Sequence, residues 1–131
     1  MIFVDTSAWF ARYSPRDQYH QVACEFLRAN GARLVTTDYV IDETLTLFKV
    51  RGNLERALRI GPYLLRGELC ELIWVEPSDV QAAWSLFQRY RDKAWSFTDC
   101  VSFVIIERLS IRQAFAFDDH FRQYGNVEVL P

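Results

Sequence analysis

The run Ser96-Phe97-Thr98-Asp99-Cys100-Val101-Ser102-Phe103-Val104-Ile105-Ile106-Glu107-Arg108-Leu109 decides the fold of this chain. Its second half is apolar on nearly every side, and a helix that is hydrophobic all round is buried. The pattern therefore predicts the central helix of the domain. Ser96 and Asp99 at its start match an N-terminal capping box. A helix N-terminus also suits a functional carboxylate, so Asp99 has two interpretations, a cap or a site residue.

The composition is that of a folded globular protein. The chain has 131 residues, of which 50% are hydrophobic and 15% aromatic, and this excludes disorder and low complexity. We expect one domain spanning residues 1–131. The net charge of −2 does not indicate a nucleic-acid binder. Lys49 and Lys93 are the only lysines among 15 basic residues, and the arginine bias suits phosphate contacts but equally reflects genome composition.

The cysteines and the N-terminus argue against a disulfide-rich, zinc-binding or secreted protein. Cys24, Cys70 and Cys100 are widely spaced, without C-x-x-C or Cys/His ligand spacing, so neither a disulfide framework nor a zinc site is predicted. The N-terminus has no basic start and meets an acid at once, unlike a signal peptide. No apolar run approaches the roughly 20 residues of a membrane span. We expect a soluble, cytoplasmic protein that does not bind membranes.

Short apolar runs alternate with helical periodicities along the chain. Strands are predicted at 2–4, 34–36, 72–75, 114–117 and 127–130. Strands that alternate with helices form a parallel sheet covered on both faces. The predicted fold class is α/β, a three-layer α/β/α arrangement around a central parallel sheet of four to five strands.

Local signals predict details of three further helices. Asp38 is the expected N-cap of a helix at 39–51, and Gly61-Pro62 is expected to break or kink a helix at 53–66. Ser78 and Gln81 match a capping box for the helix that Pro77 opens. The stripe expected to be buried on that helix consists of Val80, Ala83, Trp84, Phe87 and Tyr90.

Four acidic residues occupy positions where a carboxylate is unusual. Asp5 and Asp118 each follow a buried strand, and Asp99 opens the buried helix. Glu43 falls on the buried stripe of its helix, whereas Asp42 falls on the solvent side. Each acid has a structural alternative, such as a helix cap for Asp5. The carboxyl ends of parallel strands meet at one edge, however, so the four can converge there.

Converging carboxylates repel one another unless they are protonated or neutralised by a cation. Ligands that are all oxygen atoms, without His or Cys, select a hard ion, Mg²⁺ or Mn²⁺. Such ions polarise phosphoryl oxygens, so the site favours phosphate substrates.

Four motifs carry a family resemblance that spans almost the whole chain. They are Val4-Asp5-Thr6-Ser7, Asp42-Glu43-Thr44, Ser96-Phe97-Thr98-Asp99-Cys100 and Ala114-Phe115-Ala116-Phe117-Asp118-Asp119-His120-Phe121. The chain resembles the PIN-domain ribonucleases, and within them the VapC-type toxins of toxin–antitoxin pairs. The resemblance implies a PIN-like fold and a Mg²⁺- or Mn²⁺-dependent endoribonuclease that blocks translation.

The resemblance also assigns roles to residues. Asp5 and Asp99 would bind the metal directly, and Asp118 and Glu43 would bind it directly or through water. The hydroxyl side chains would hydrogen-bond to these carboxylates or position a phosphate; they belong to Thr6, Ser7 and Thr98. His120 is interpreted as a structural residue rather than a base.

Partners follow from the same resemblance. They are a single-stranded or looped RNA substrate, cut to leave a 5′-phosphate and a 3′-hydroxyl, a cognate antitoxin, and a second copy in a homodimer. Aromatic residues such as Trp9, Phe10 and Phe48 are either interface or core. Candidates for a basic rim around the acidic groove are Arg12, Arg16, Arg51 and Arg56.

Other enzyme classes fit less well. A receiver domain needs a Lys after a late strand, and neither lysine follows a strand. A haloacid-dehalogenase-like phosphatase needs D-x-D at the first strand, where this chain has Asp5-Thr6-Ser7. The alternative that remains is a non-catalytic PIN-fold module that binds RNA or protein.

Overall fold

The computed structural model describes all 131 residues. It contains five strands, β1 (Ile2–Val4), β2 (Leu34–Thr37), β3 (Glu71–Ile73), β4 (Gln113–Phe115) and β5 (Glu128–Leu130). The seven helices are α1 (Thr6–Tyr13), α2 (His20–Ala29), α3 (Asp38–Val50), α4 (Leu54–Leu65), α5 (Pro77–Arg89), α6 (Phe97–Arg108) and α7 (His120–Tyr124).

The strands form one parallel sheet in the order β3-β2-β1-β4-β5. Strand β1 is central and pairs on one side with β2, where Phe3 stands opposite Val35, and on the other with β4, where Phe3 stands opposite Ala114. A strand inside a parallel sheet is covered on both faces, which explains why every residue of β1 is buried and apolar. The predicted α/β fold class is confirmed.

The central helix is confirmed as α6. It is capped by Ser96, and seven of its residues are buried, among them Val101, Phe103 and Ile106. Phe103 is fully buried, and its ring lies 4.9 Å from that of Trp95 and 5.1 Å from that of Phe121. A helix with no polar face has no other stable place than inside the core, which here comprises 27 buried residues.

Two capping predictions are wrong, and so is the predicted break in α4. Thr37, not Asp38, caps α3, and the Asp38 carboxylate instead accepts a hydrogen bond of 2.8 Å from the Val75 backbone after β3. Helix α4 is continuous from Leu54 to Leu65 with Pro62 inside it, so the break predicted at Gly61-Pro62 does not occur, and the kink stays a prediction. The capping box of α5 is formed by Glu76 and Asp79 rather than by Ser78 and Gln81.

Asp79 caps α5 because its side chain also contacts a residue of another helix. Its side chain is almost fully buried and accepts two hydrogen bonds, of 2.8 and 3.0 Å, from the Arg108 guanidinium on α6. A buried carboxylate requires such a partner. This ion pair joins α5 to the central helix.

The buried face of α5 is narrower than predicted. Ala83 is buried, but Trp84 and Phe87 are 50% and 40% exposed. By contrast, Trp9 and Phe48 are core residues. Exposed aromatic residues are therefore found on α5, whereas Trp9 and Phe48, which the sequence allowed as interface residues, lie in the core. No helix has the length and apolar character needed to cross a membrane.

Candidate metal centre

The acidic residues gather at the carboxyl edge of the sheet. The strand order reverses direction between β1 and β4, and the crevice at such a switch point is where open α/β sheets bind ligands. Asp5 directly follows β1, and Asp118 lies just beyond β4. Asp99 stands in the first turn of α6, and Glu43 lies on α3.

Asp5 is buried and held by its neighbour Ser7. The Asp5 carboxylate caps α1, and its Oδ2 accepts hydrogen bonds from the Ser7 backbone N–H at 3.2 Å and from the Ser7 hydroxyl at 2.7 Å. The same hydroxyl accepts a bond of 3.0 Å from the Phe117 backbone N–H. Ser7 therefore ties Asp5 to the segment that leads to Asp118. Of the two roles implied for its hydroxyl, the structure contains the contact with a carboxylate.

Asp99 is both a helix cap and a site residue. Its backbone N–H donates to the Ser96 hydroxyl at 3.0 Å, and its Oδ2 accepts the Ser96 backbone N–H at 3.0 Å. That oxygen also accepts a hydrogen bond of 2.7 Å from Nδ1 of His120. The two interpretations of Asp99 are thus not exclusive, because one carboxylate serves the helix end and faces the crevice.

His120, which the sequence pattern indicates to be a structural residue, lies among the carboxylates of the site. Ligand atoms of Asp99, Asp118 and His120 all lie within 4.8 Å of one another. The expectation of an oxygen-only cluster was therefore incomplete, because an imidazole joins the carboxylates. The available signal was the spacing Asp118-x-His120 after a buried strand, but only the approach of α7 to α6 brings the ring to Asp99.

The carboxylates have perturbed acidities. Burial, followed by repulsion from the Asp118 carboxylate, raises the pKa of Asp5 well above its ordinary value, and the Ser7 hydrogen bonds only partly oppose this. Burial also raises the pKa of Asp99, while the Ser96 N–H and the His120 ring favour its charged form. The pKa of Glu43 is raised by burial and by the charges of Asp99 and Asp118. The carboxylates of Asp5, Glu43 and Asp99 thus each lie close enough to Asp118 to be repelled by its charge.

Threonine hydroxyls complete the lining. Those of Thr6 and Thr98 lie near Glu43 and favour its charged form, which partly opposes the rise in its pKa caused by burial. Yet the Thr6 Oγ1 atom is buried and lacks any hydrogen bond of ordinary geometry. A buried polar atom without a partner is costly in a native protein unless a ligand or water satisfies it. Carboxylates that repel one another beside such a hydroxyl fit a hard divalent cation.

The chain is similar to known proteins along its whole length. The family described as PIN domain matches residues 2–127. The 23S rRNA-specific endonuclease VapC20 of Mycobacterium tuberculosis is 31% identical over 131 residues, which cover 100% of this chain and 99% of that protein. A VapC ribonuclease of Archaeoglobus fulgidus is 28% identical over 123 residues, covering 90% of this chain and 77% of the relative.

Solved structures agree with the sequence matches. The crystal structure of Mycobacterium tuberculosis VapC20, described as a sarcin–ricin loop cleaving toxin, superposes with a TM-score of 0.92 at 30% identity, covering 100% of both chains. A toxin–antitoxin complex from Klebsiella pneumoniae gives a TM-score of 0.69 at 14% identity, covering 100% of this chain and 97% of the other. At that identity the second match supports the fold alone.

Proposed function

Because the chain belongs to the PIN-domain family, we propose that it is a metal-dependent endoribonuclease, the toxin of a toxin–antitoxin pair. The observation that carries this proposal is the convergence of Asp5, Glu43, Asp99 and Asp118 in one crevice, where burial and mutual repulsion raise the pKa of three of them. Carboxylates that repel one another destabilise the fold unless a ligand neutralises them, and such clusters are typical of functional sites.

The ligand we propose is Mg²⁺ or Mn²⁺, held by oxygens of Asp5, Asp99 and Asp118 and, directly or through water, of Glu43. When bound, such an ion acts as a Lewis acid on the phosphodiester and supplies the charge that brings an RNA backbone into an acidic crevice. Oxygen-rich sites prefer these two ions.

In this proposal, residues of the chain orient the metal ligands and bind the RNA. Ser7 fixes the Asp5 carboxylate through two hydrogen bonds, so this ligand is pre-arranged before any ion arrives. The Thr6 and Thr98 hydroxyls are proposed to donate to a phosphate oxygen, and the unpaired Thr6 Oγ1 supports that assignment. Arg16 and Arg51, which line a surface groove of about 470 Å³ with Phe10 and Asn53, are proposed basic contacts for RNA.

The proposed substrate is a single-stranded or looped RNA, cut to a 5′-phosphate and a 3′-hydroxyl. VapC20 is named for its action on 23S rRNA, and its similarity along the whole chain makes large-subunit rRNA the first substrate to test. Sequencing 5′ ends after incubation with intact ribosomes would identify the cleaved bond.

Two protein partners complete the proposal. The first is a cognate antitoxin that places a segment, with an Arg side chain, in the acidic crevice. The second is another copy of this chain, which would cover the exposed, mutually stacked Trp84 and Phe87 on α5. Sedimentation should then give dimers for the wild type and monomers for Trp84→Glu. The protein would act in the cytoplasm, where its RNA substrate is found.

The proposal is tested by removing one ligand charge at a time. Asp5→Asn and Asp99→Asn should each lose RNA cleavage while the protein stays folded. Asp42→Asn is a matched control, because Asp42 lies on α3 next to Glu43 but faces solvent. Cleavage by both site variants at the wild-type rate would remove the metal-site proposal.

Metal binding without RNA distinguishes the enzyme from a non-catalytic PIN module. An ion that binds only the folded state must raise its melting temperature. Wild-type protein should melt higher in Mg²⁺ or Mn²⁺ than in EDTA, and Asp99→Asn should lose most of that increase. A wild-type protein that neither responds to metal nor cuts RNA would instead be the binding module.

A further inference from the structure

One carboxylate oxygen of Asp99 is hydrogen-bonded to the protein and the other is not. Its Oδ2 accepts both the Ser96 backbone N–H at 3.0 Å and the His120 ring Nδ1 at 2.7 Å. Its Oδ1 accepts no hydrogen bond from the protein. The ring contact is short, as expected when the acceptor is a charged carboxylate. Because an ionised carboxylate only accepts, Nδ1 carries the hydrogen in this contact.

Asp118 is held in the same way by the same residue. Its Oδ1 accepts a hydrogen bond of 3.1 Å from the His120 backbone N–H, and its other oxygen has no protein partner. Asp99 belongs to α6 and Asp118 to the segment after β4, so the two acids come from different elements. His120 is the residue that contacts both of them.

The position of His120 is itself set by the core. It is the first residue of α7, and the next residue, Phe121, is fully buried. The Phe121 ring lies 6.1 Å from that of Phe3 on β1 and 5.1 Å from that of Phe103 on α6. The imidazole therefore projects from a segment anchored to both the sheet and the central helix.

We propose that His120 is a positioning residue for the metal ligands. Its ring N–H holds one oxygen of Asp99 and its backbone N–H holds one oxygen of Asp118, which leaves the second oxygen of each carboxylate free for the divalent cation. This inference rests on the proposed function, since it concerns the same cation. A partner that orients a metal ligand commonly changes metal affinity by 10- to 100-fold.

Three substitutions test which nitrogen of the ring matters. The amide nitrogen of Asn stands close to the place of the imidazole Nδ1, whereas that of Gln stands close to the place of Nε2. His120→Ala and His120→Gln should therefore weaken Mn²⁺ binding about 10-fold or more in calorimetry without RNA. His120→Asn should restore most of that affinity.

Cleavage kinetics separate positioning from direct action. If His120 only orients ligands, saturating metal should recover most of kcat in His120→Ala, and the loss should appear in the metal concentration needed. Asp119→Asn is the control, because Asp119 is adjacent, exposed and caps α7 without a side-chain hydrogen bond. It should leave both metal affinity and kcat unchanged.

Two results would overturn the proposal. Wild-type affinity in all three variants would show that His120 has no role in metal binding. Affinity kept by His120→Gln but lost in His120→Asn would make Nε2 a direct ligand. Wild-type protein that fails to bind metal or cut RNA would instead contradict the proposed function itself.

A measurement on the wild-type protein keeps the test valid if the variants fold poorly. The His120 ring proton on Nδ1 should remain visible by NMR, and the Nε2 resonance should stay nearly unchanged, when Mg²⁺ is added. A large shift confined to Nε2 would contradict the positioning role.

Discussion

Asp118→Asn should make the metal-free protein more stable while removing its activity. Asn has nearly the same shape as Asp, and its side-chain oxygen can still accept the His120 backbone N–H that Asp118 accepts now. The change therefore removes a charge without removing a contact. Asp118 repels Asp5, Asp99 and Glu43, and in each case its charge raises the pKa of the other carboxyl.

The size of the effect follows from the separation of the charges. Ligand atoms of Asp99 and Asp118 lie within 4.8 Å. Two unit charges at that distance, with an effective dielectric constant of 20, repel by about 3.5 kcal/mol. Asp118 is only half-buried, and partial protonation of its neighbours relieves part of the repulsion. We expect a gain of about 1–2 kcal/mol, or roughly 3–8 °C in melting temperature for a chain of this size.

The assay is thermal unfolding at pH 7.5 in EDTA, followed by a Mg²⁺ titration. Asp42→Asn removes the same charge from an exposed position on α3 and should change stability by less than about 0.5 kcal/mol. Mg²⁺ should then raise the melting temperature of the wild type more than that of Asp118→Asn. A variant that is less stable than the wild type in EDTA would refute a self-repelling acidic cluster.

The raised pKa values also fix the sign of the pH dependence. A carboxyl whose pKa is raised on folding binds more protons in the folded state, so its contribution to stability is full below about pH 4 and is lost as pH rises through the folded pKa. In EDTA, the stability advantage of Asp118→Asn over the wild type should therefore widen from pH 4 to pH 7. Denaturant titrations at several pH values measure this difference, and a gap that narrows would contradict the assigned direction.

Two further predictions concern residues that support the site. Arg108→Ala leaves the buried Asp79 carboxylate without its partner and should lower the free energy of unfolding in urea by about 2–4 kcal/mol. The control, Arg91→Ala on the exposed surface, should change it little. Equal losses in the two variants would mean that the ion pair does not stabilise the fold. Ser7→Ala removes the shorter of the two hydrogen bonds to the Asp5 carboxylate and leaves the Phe117 N–H unpaired. It should cost about 1–3 kcal/mol in denaturant unfolding and weaken Mn²⁺ binding in calorimetry. Unchanged metal affinity would mean that the Ser7 hydroxyl does not hold the ligand.

The local sequence was enough to predict most elements and the acids of the site. Helix α6 and strand β1 were predictable because uninterrupted apolar runs have no stable place outside a core. Asp5 and Asp118 were predictable as neighbours because parallel strands end at the same edge. Glu43 was separated from Asp42 by helical spacing alone, and their burial differs as that spacing requires.

Errors arose where two adjacent residues compete for one role. Thr37 and Asp38 are both good caps, and the choice between them depended on the Val75 N–H, which comes from the end of β3. Asp79 displaced Ser78 and Gln81 at the start of α5 because a buried carboxylate there meets Arg108. Neither partner is near in sequence, so local propensity could not rank the candidates.

The sequence by itself determined which segments are helices and strands and which carboxylates face the crevice, because hydrophobic periodicity is a property of neighbouring residues. Only the tertiary structure decided how those carboxylates are held. The ring of His120 reaches Asp99 across 21 positions of sequence, and the Ser7 hydroxyl reaches the Phe117 N–H across 110. Hydrogen bonds of this kind depend on where α7, α6 and β4 pack, and that packing is a property of the whole core.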